Sequence, residues 1–138
     1  MNDSKKTILI VEDSIVQALA VQLLLEQCGL NVLRATSGEQ GLSLARDSQP
    51  DLILLDIQLP GIDGFQFCRL LRDDVSTLNI PIILFTVHGD QEMFRKGFAG
   101  GTIDFIPKDA FYTSVLLETL KQMGIIKNNF GRMNYQSN

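Results

Sequence analysis

Five side chains in this sequence could do chemistry together if folding collects them. They are Glu12 and Asp13 in TILIVEDS, Asp56 in LILLDIQLPGIDG, Thr86 in PIILFT and Lys108 in DFIPK. Each acid, hydroxyl or ammonium closes a short apolar run. A carboxylate at the mouth of a buried strand costs free energy unless it is paired, metal-bound or in a cleft. Three carboxylates held close repel, so one takes up a proton or the site holds a cation. Oxygen ligands with no His or Cys among them suit a hard ion, and Mg²⁺ keeping several waters is the expected one. An aspartate there can attack a phosphoryl group and form an aspartyl phosphate. Lys108 and the metal would then offset charge on the equatorial oxygens, and the Thr86 hydroxyl would bind one of them. Taken singly, each of these residues reads equally as a cap or a loop polar group. Four strand ends that each deliver a group suited to phosphoryl transfer argue for a site.

The elements that must position these residues are legible as an alternation. Apolar runs recur at 7–11, 32–35, 52–55, 82–85 and 105–106, with helix-period segments between them. In 14–28, Val16, Leu19, Ala20, Leu23 and Leu24 form one helical stripe. Ser14 with Gln17 makes a capping box at its start, and Gly29 suits its stop. Ser37 with Gln40 opens the next helix and Asp63 caps a third. A segment over 90–101 is weakened by Gly97, Gly100 and Gly101. The last helix spans 110–123, apolar at Phe111, Val115, Leu116, Leu120 and Met123. Strands alternating with helices mean βαβ units, and unbroken apolar strands mean a sheet covered on both faces. The expected fold is an α/β, doubly wound, flavodoxin-like domain of five parallel strands and five helices. In strand order 2-1-3-4-5, strands 1 and 3 are neighbours and their acids meet at the carboxyl edge, where such sheets form sites.

Composition narrows the function classes. The 138 residues suffice for one domain, and 45% hydrophobic with 20% charged is the balance of a globular chain. A net charge of -4 argues against broad nucleic-acid binding, which needs a basic face. No apolar run approaches the about 20 residues of a membrane helix, and MNDSKKTILIVEDS lacks a signal-peptide profile, so cytoplasm is the expected compartment. Cys28 and Cys68 show no CxxC spacing and read as reduced core thiols.

With ILIVEDS, DLILLDIQLPGIDG, PIILFT and GGTIDFIPK in order on the expected elements, the chain resembles a response-regulator receiver domain of the CheY-like type. The likeness covers about residues 6–123. It implies a phosphoacceptor module of a two-component system or phosphorelay, not an enzyme, with Asp56 as acceptor. It further implies Asp13 as a direct Mg²⁺ ligand, Glu12 as a water-mediated one, and a contribution from the backbone carbonyl of Gln58. Thr86 and Phe105 correspond to the switch pair, and Lys108 to the phosphate-binding lysine. A histidine kinase or phosphotransfer protein would donate the phosphoryl group, and a downstream protein would read the face of the fourth helix, fifth strand and fifth helix. A homodimer through that face is a further expectation, because the last helix is apolar on more than one side.

Three positions depart from the family's habit or tune it. Asp109 stands where proline usually follows the lysine, and is expected to cap the last helix. Val87 replaces a small residue and would restrict access to the site. Gln58 and His88 occupy positions whose side chains flank the phosphoryl group and influence its lifetime. After a receiver unit of 1–124, the tail 125–138 is too short for an output domain, which resembles the stand-alone type. Ile125, Ile126 and Phe130 would anchor that tail on its own domain or on a neighbour. Two rival readings stand beside this one: a receiver-fold docking module that is never phosphorylated, and a phosphatase using an aspartyl nucleophile. The second wants an acid two residues after the nucleophile, where Gln58 stands.

Overall fold

Five runs rich in Ile, Leu and Val form one parallel sheet in the computed structural model, which describes residues 5–86, 103–109 and 111–127. The strands are β1 (Thr7–Val11), β2 (Asn31–Ala35), β3 (Leu52–Asp56), β4 (Ile82–Thr86) and β5 (Ile103–Pro107), in the order β2-β1-β3-β4-β5. The described helices are α1 (Ile15–Gln27), α2 (Gly38–Ser48), α3 (Gly64–Arg72) and α4 (Tyr112–Gln122). The helix expected over 90–101, its glycines, Val87, His88 and Phe130 lie outside the described residues. Among those described, no helix is long and apolar enough to cross a membrane.

Each face of the sheet carries its own apolar layer. Leu9, Val11, Ile53, Leu55 and Leu84 pack with Leu42 and Ala45 of α2 and Phe67 and Leu71 of α3. Ile8, Ile10, Leu54, Ile83 and Ile106 pack with Ala18, Val21 and Leu25 of α1 and Leu116 and Leu120 of α4. That two-sided cover is why β3 reads as an unbroken apolar run: all five of its residues are buried. The second layer also takes in Ile126, with Ile125 packed at its edge and the Ile125 N–H donating to Leu120 O at 2.9 Å. Two of the expected tail anchors therefore lie on the domain's own last helix.

Helix α1 corrects the sequence reading. Its buried residues are Ala18, Val21 and Leu25. The expected core positions Val16 (79%), Leu19 (43%) and Leu23 (53%) are exposed, and only Leu24 of that stripe packs partly on the core. Two stripes of α1 are apolar, and packing against β1 and β2 buries the narrower one, Ala18, Val21 and Leu25. In α4, Leu116 and Leu120 are buried as expected, whereas Val115 (41%) and, just before the helix, Phe111 (71%) face outward.

Capping is chemically uneven. Asp63 and Gln66 form a full reciprocal box at α3. At α1, Ser14 Oγ accepts the Gln17 N–H at 3.3 Å, but the reverse bond is missing. The Ser14 N–H instead donates to Glu12 Oε2 at 3.1 Å.

Candidate functional site

Register alone brings the acids together. Val11 pairs with Leu55, so the next residues of the two strands, Glu12 and Asp56, emerge side by side. Asp56 pairs with Phe85 and Thr86 with Pro107, which carries Thr86 and Lys108 to the same edge. The adjacent strand ends thus deliver groups that lie far apart in sequence.

Glu12, Asp13 and Asp56 can each point a carboxylate oxygen into one cluster, with these atoms all within 4.8 Å of one another. Glu12 and Asp56 are buried, at 6% and 8% exposure, and Asp13 is exposed. Lys108 Nζ lies 3.1 Å from Asp56 Oδ2 and 3.2 Å from Glu12 Oε1, so one ammonium bridges the two buried acids. The other oxygen of Asp56, Oδ1, accepts the backbone N–H of Gln58 at 3.1 Å. This bond turns the chain sharply out of β3 and fixes the carboxylate's orientation. The Gln58 side chain is exposed.

Burial, the largest cause, pushes the Glu12 carboxyl above its ordinary range; the Ser14 N–H opposes that, while the neighbouring Asp56 adds to it. Burial would lower Lys108, but the charges of Asp56 and then Glu12 outweigh it and hold the ammonium above its usual value. The two directions agree physically. Two acids compete for one cation, so the cation is held firmly while Glu12 remains under repulsion from Asp56. With Asp13 added, three carboxylates face one ammonium. An oxygen-only donor set with surplus negative charge fits a hard divalent cation, and Mg²⁺ suits it because the exposed Asp13 side leaves space for its retained waters.

Phe105 is half-buried and packs on the layer shared with α2 and α3. Thr86 closes β4, and its side chain lies outside what the structure describes, as do Val87 and His88. Asp109 does hold an N–H near the start of α4, but not as its N-cap: Oδ1 accepts from Phe111 N at 2.8 Å, and Phe111 is the N-cap, without a side-chain bond of its own.

One residue escaped the sequence reading. Gln17 Oε1 accepts from Lys108 Nζ at 2.9 Å. Its signal was masked because Gln17 is also the expected partner of Ser14 in a capping box, which accounted for it locally. Beside this pair lies a cavity of about 220 Å³ whose lining includes Ala18, Phe85, Tyr112, Gln17 and Lys108. Tyr112 meets Phe85 edge-on, with ring centroids 5.9 Å apart.

Comparison with known proteins places this arrangement. The family model of the response regulator receiver domain matches residues 8–121. The polar-differentiation response regulator DivK of Brucella ovis is 40% identical over 95 residues, spanning 67% of this chain and 77% of that protein. The transcriptional regulatory protein AfsQ1 of Streptomyces coelicolor is 42% identical over 102 residues, 74% of this chain but only 44% of that protein. The chain thus spans under half of that longer relative. The receiver domain of the sensor histidine kinase PA1611 from Pseudomonas aeruginosa, solved with a magnesium ion coordinated in its active-site cleft, has a TM-score of 0.75. It is 28% identical, over 86% of this chain and 97% of that one. The chemotaxis response regulator CheY4 of Vibrio cholerae gives 0.75 at 27% identity, over 86% of this chain and 98% of that one.

Proposed function

Because this chain belongs to the response regulator receiver family, the phosphoacceptor signalling modules of two-component systems, we propose that Asp56 is the residue that takes the phosphoryl group. The observation that carries this is the bridge from Lys108 to Asp56 Oδ2 at 3.1 Å in a pocket shared with Glu12 and Asp13. Oδ1 is already held by the Gln58 N–H, so Oδ2 is the oxygen free to act as nucleophile once Lys108 shifts to the incoming phosphoryl group.

In the proposed reaction, a carboxylate oxygen of Asp56 attacks phosphorus of a phosphohistidine on a histidine kinase or phosphotransfer protein. The P–N bond breaks, and the imidazole nitrogen leaves with the electron pair and takes a proton from water. Glu12, Asp13, Asp56 and the Gln58 carbonyl would hold Mg²⁺, which supplies positive charge to the phosphoryl oxygens when bound. Lys108 moves its ammonium from the carboxylate to a phosphoryl oxygen, keeping the buried charge paired. Thr86 and Phe105 form the switch: the hydroxyl follows the new oxygens and the ring turns with it, biasing a pre-existing equilibrium. Gln58, Val87 and His88 govern access of the hydrolytic water and so the lifetime of the aspartyl phosphate.

The output is contact with a downstream protein in the cytoplasm, and pairing of two copies through the face around β5 and α4 is part of this reading. We take 1–124 as the receiver unit, with the start of the 125–138 tail lying against it. A docking-only role would leave the half-buried ammonium and the two buried acids beside it without a task. A phosphatase would need an acid where Gln58 stands.

Intact mass after incubation with acetyl phosphate and Mg²⁺, beside Asp56→Asn, tests the proposal. One added phosphoryl group in the parent protein alone is the expected result. An adduct that persists in Asp56→Asn would remove Asp56 from the acceptor role. If neither protein forms an adduct, titration with beryllofluoride separates a site that cannot bind a phosphoryl group from one that loses it quickly.

A further inference from the structure

Lys108 does not rest on the two buried acids alone. An ammonium has three N–H donors; here Nζ donates to Gln17 Oε1 at 2.9 Å and to Glu12 Oε1 at 3.2 Å, and its ion pair with Asp56 Oδ2 at 3.1 Å makes a third oxygen neighbour. The shortest of the three is the neutral one. Gln17 stands at the third position of α1, where a capping box would turn its carboxamide back to the Ser14 N–H, as Gln66 does for Asp63 in α3. Glu12 Oε2 has taken that N–H, at 3.1 Å. The two oxygens of Glu12 thus do separate tasks: one releases Gln17 from its local cap, the other shares the ammonium with it.

We propose that Gln17 is a positioning residue for Lys108, a neutral third acceptor that aims the ammonium at the acceptor oxygen of Asp56. This rests on Lys108 being the group that meets the phosphoryl oxygens. Neutrality matters. A carboxamide fixes the direction of the lysine without adding a charge that would hold it back from an incoming phosphoryl group or repel that group. The position on α1 matters as well, because the first turn of the helix is anchored through Ser14 and the lysine arrives from the loop after β5. Gln17 therefore ties the two segments on either side of the cavity to each other. On phosphorylation, Lys108 exchanges its bond to Asp56 Oδ2 for one to a phosphoryl oxygen while keeping Gln17, so the ammonium pivots rather than swings free.

The test is a double-mutant cycle on the rate of adduct formation with acetyl phosphate and Mg²⁺, followed by intact mass. Gln17→Met, which keeps length and removes the acceptor, should slow phosphorylation about fivefold, the scale of one partly exposed hydrogen bond to a charged group. Gln17→Glu should slow it more, at least about tenfold, because a third carboxylate both retains the ammonium and repels the phosphoryl oxygens. Gln17 is exposed, so both variants should melt within a degree or two of the parent. In a Lys108→Met background, Gln17→Met should change nothing further. Equal slowing in both backgrounds, or Met and Glu variants that behave alike, would overturn the proposal, as would an unaltered rate in Gln17→Met. If Lys108→Met itself phosphorylates at the parent rate, the failure belongs to the role given to Lys108, and the cycle shows that separately.

Discussion

Lys108 Nζ and Asp56 Oδ2 stand 3.1 Å apart, the ammonium one-quarter exposed and the carboxylate nearly buried, so a lysine rather than solvent balances the charge of Asp56. The same ammonium serves Glu12. A single cation therefore offsets part of the repulsion between two acids in a setting where neither is well solvated.

Removing that cation should destabilise the protein in a way that a divalent ion repairs. Breaking a fully buried pair costs about 3–5 kcal/mol, and partial exposure of Lys108 reduces this to about 1–2 kcal/mol. Lys108→Met should accordingly melt a few degrees lower in EDTA. It should also bind Mg²⁺ more tightly than the parent, because the ammonium no longer competes for Glu12 and Asp56. Thermal melts with and without Mg²⁺ give both quantities. Weaker Mg²⁺ binding in the variant would mean that lysine and metal do not share these acids.

How much of this was readable in the sequence differs by element. The central strands β1, β3 and β4 were readable as unbroken apolar runs, because a covered parallel strand has no polar face to confuse the pattern, whereas Arg34 and Asp104 break the runs of β2 and β5. The acids at the ends of β1 and β3 were readable for the same reason, since a charge closing such a run has few structural uses. The face of α1 was not. Val16, Leu19 and Leu23 are as apolar as Val21 and Leu25, and periodicity cannot choose between two stripes when tertiary packing decides which one is buried. The contact between Gln17 and Lys108 spans 91 positions. Nothing local announces it, and the capping box that explained Gln17 was half taken over by Glu12.

The loop that leaves Asp56 turns on Gly61, and its backbone requires that glycine. Gly61 has φ +75°, and a Cβ there would lie 2.9 Å from Glu39 Oε2. Gly124 has a similar φ of +77° with nothing within 4 Å, so it isolates the backbone cost. Gly124→Ala should cost about 1 kcal/mol, and Gly61→Ala more, about 1.5–2 kcal/mol. Urea midpoints measure both. Adding Glu39→Ala to Gly61→Ala should bring its cost down to that of Gly124→Ala; an excess that survives would mean the carboxylate is not its source, and a Gly61→Ala cost already equal to that of Gly124→Ala would mean the carboxylate moves aside.

Cys68 should be inert in the native protein. It is fully buried in α3, and burial, only partly opposed by Arg72, pushes its thiol up to about 12. The thiolate is the reactive form, so at pH 8 about one molecule in ten thousand would carry it, and that one is shielded from reagent. Cys28 is half-exposed, though burial raises its thiol as well. Iodoacetamide at pH 8 should label Cys28 slowly and leave Cys68 untouched until urea unfolds the chain. Mapping the label by peptide mass checks this. Native labelling of Cys68 at the rate of Cys28 would show that α3 opens far more readily than its packing implies.

Ligand and scaffold roles among the three acids differ in how far each stability depends on metal. Asp13 is the exposed member of the cluster, whereas Glu12 and Asp56 are buried and tied to Lys108. Asp13→Asn should leave the metal-free protein within about 0.5 kcal/mol of the parent, or slightly more stable, because one repelling charge is gone. Its effect should appear only with metal. An ion that binds the folded state alone stabilises it by about 2.7 kcal/mol when present at a hundred times its dissociation constant. The parent should gain a rise of that order as Mg²⁺ is added, and Asp13→Asn should need far more Mg²⁺ to reach it. If the variant shows the same Mg²⁺-dependent rise as the parent, Asp13 is not a ligand and the ion sits on Glu12 and Asp56 alone. That outcome would require Lys108 to leave both acids whenever metal binds.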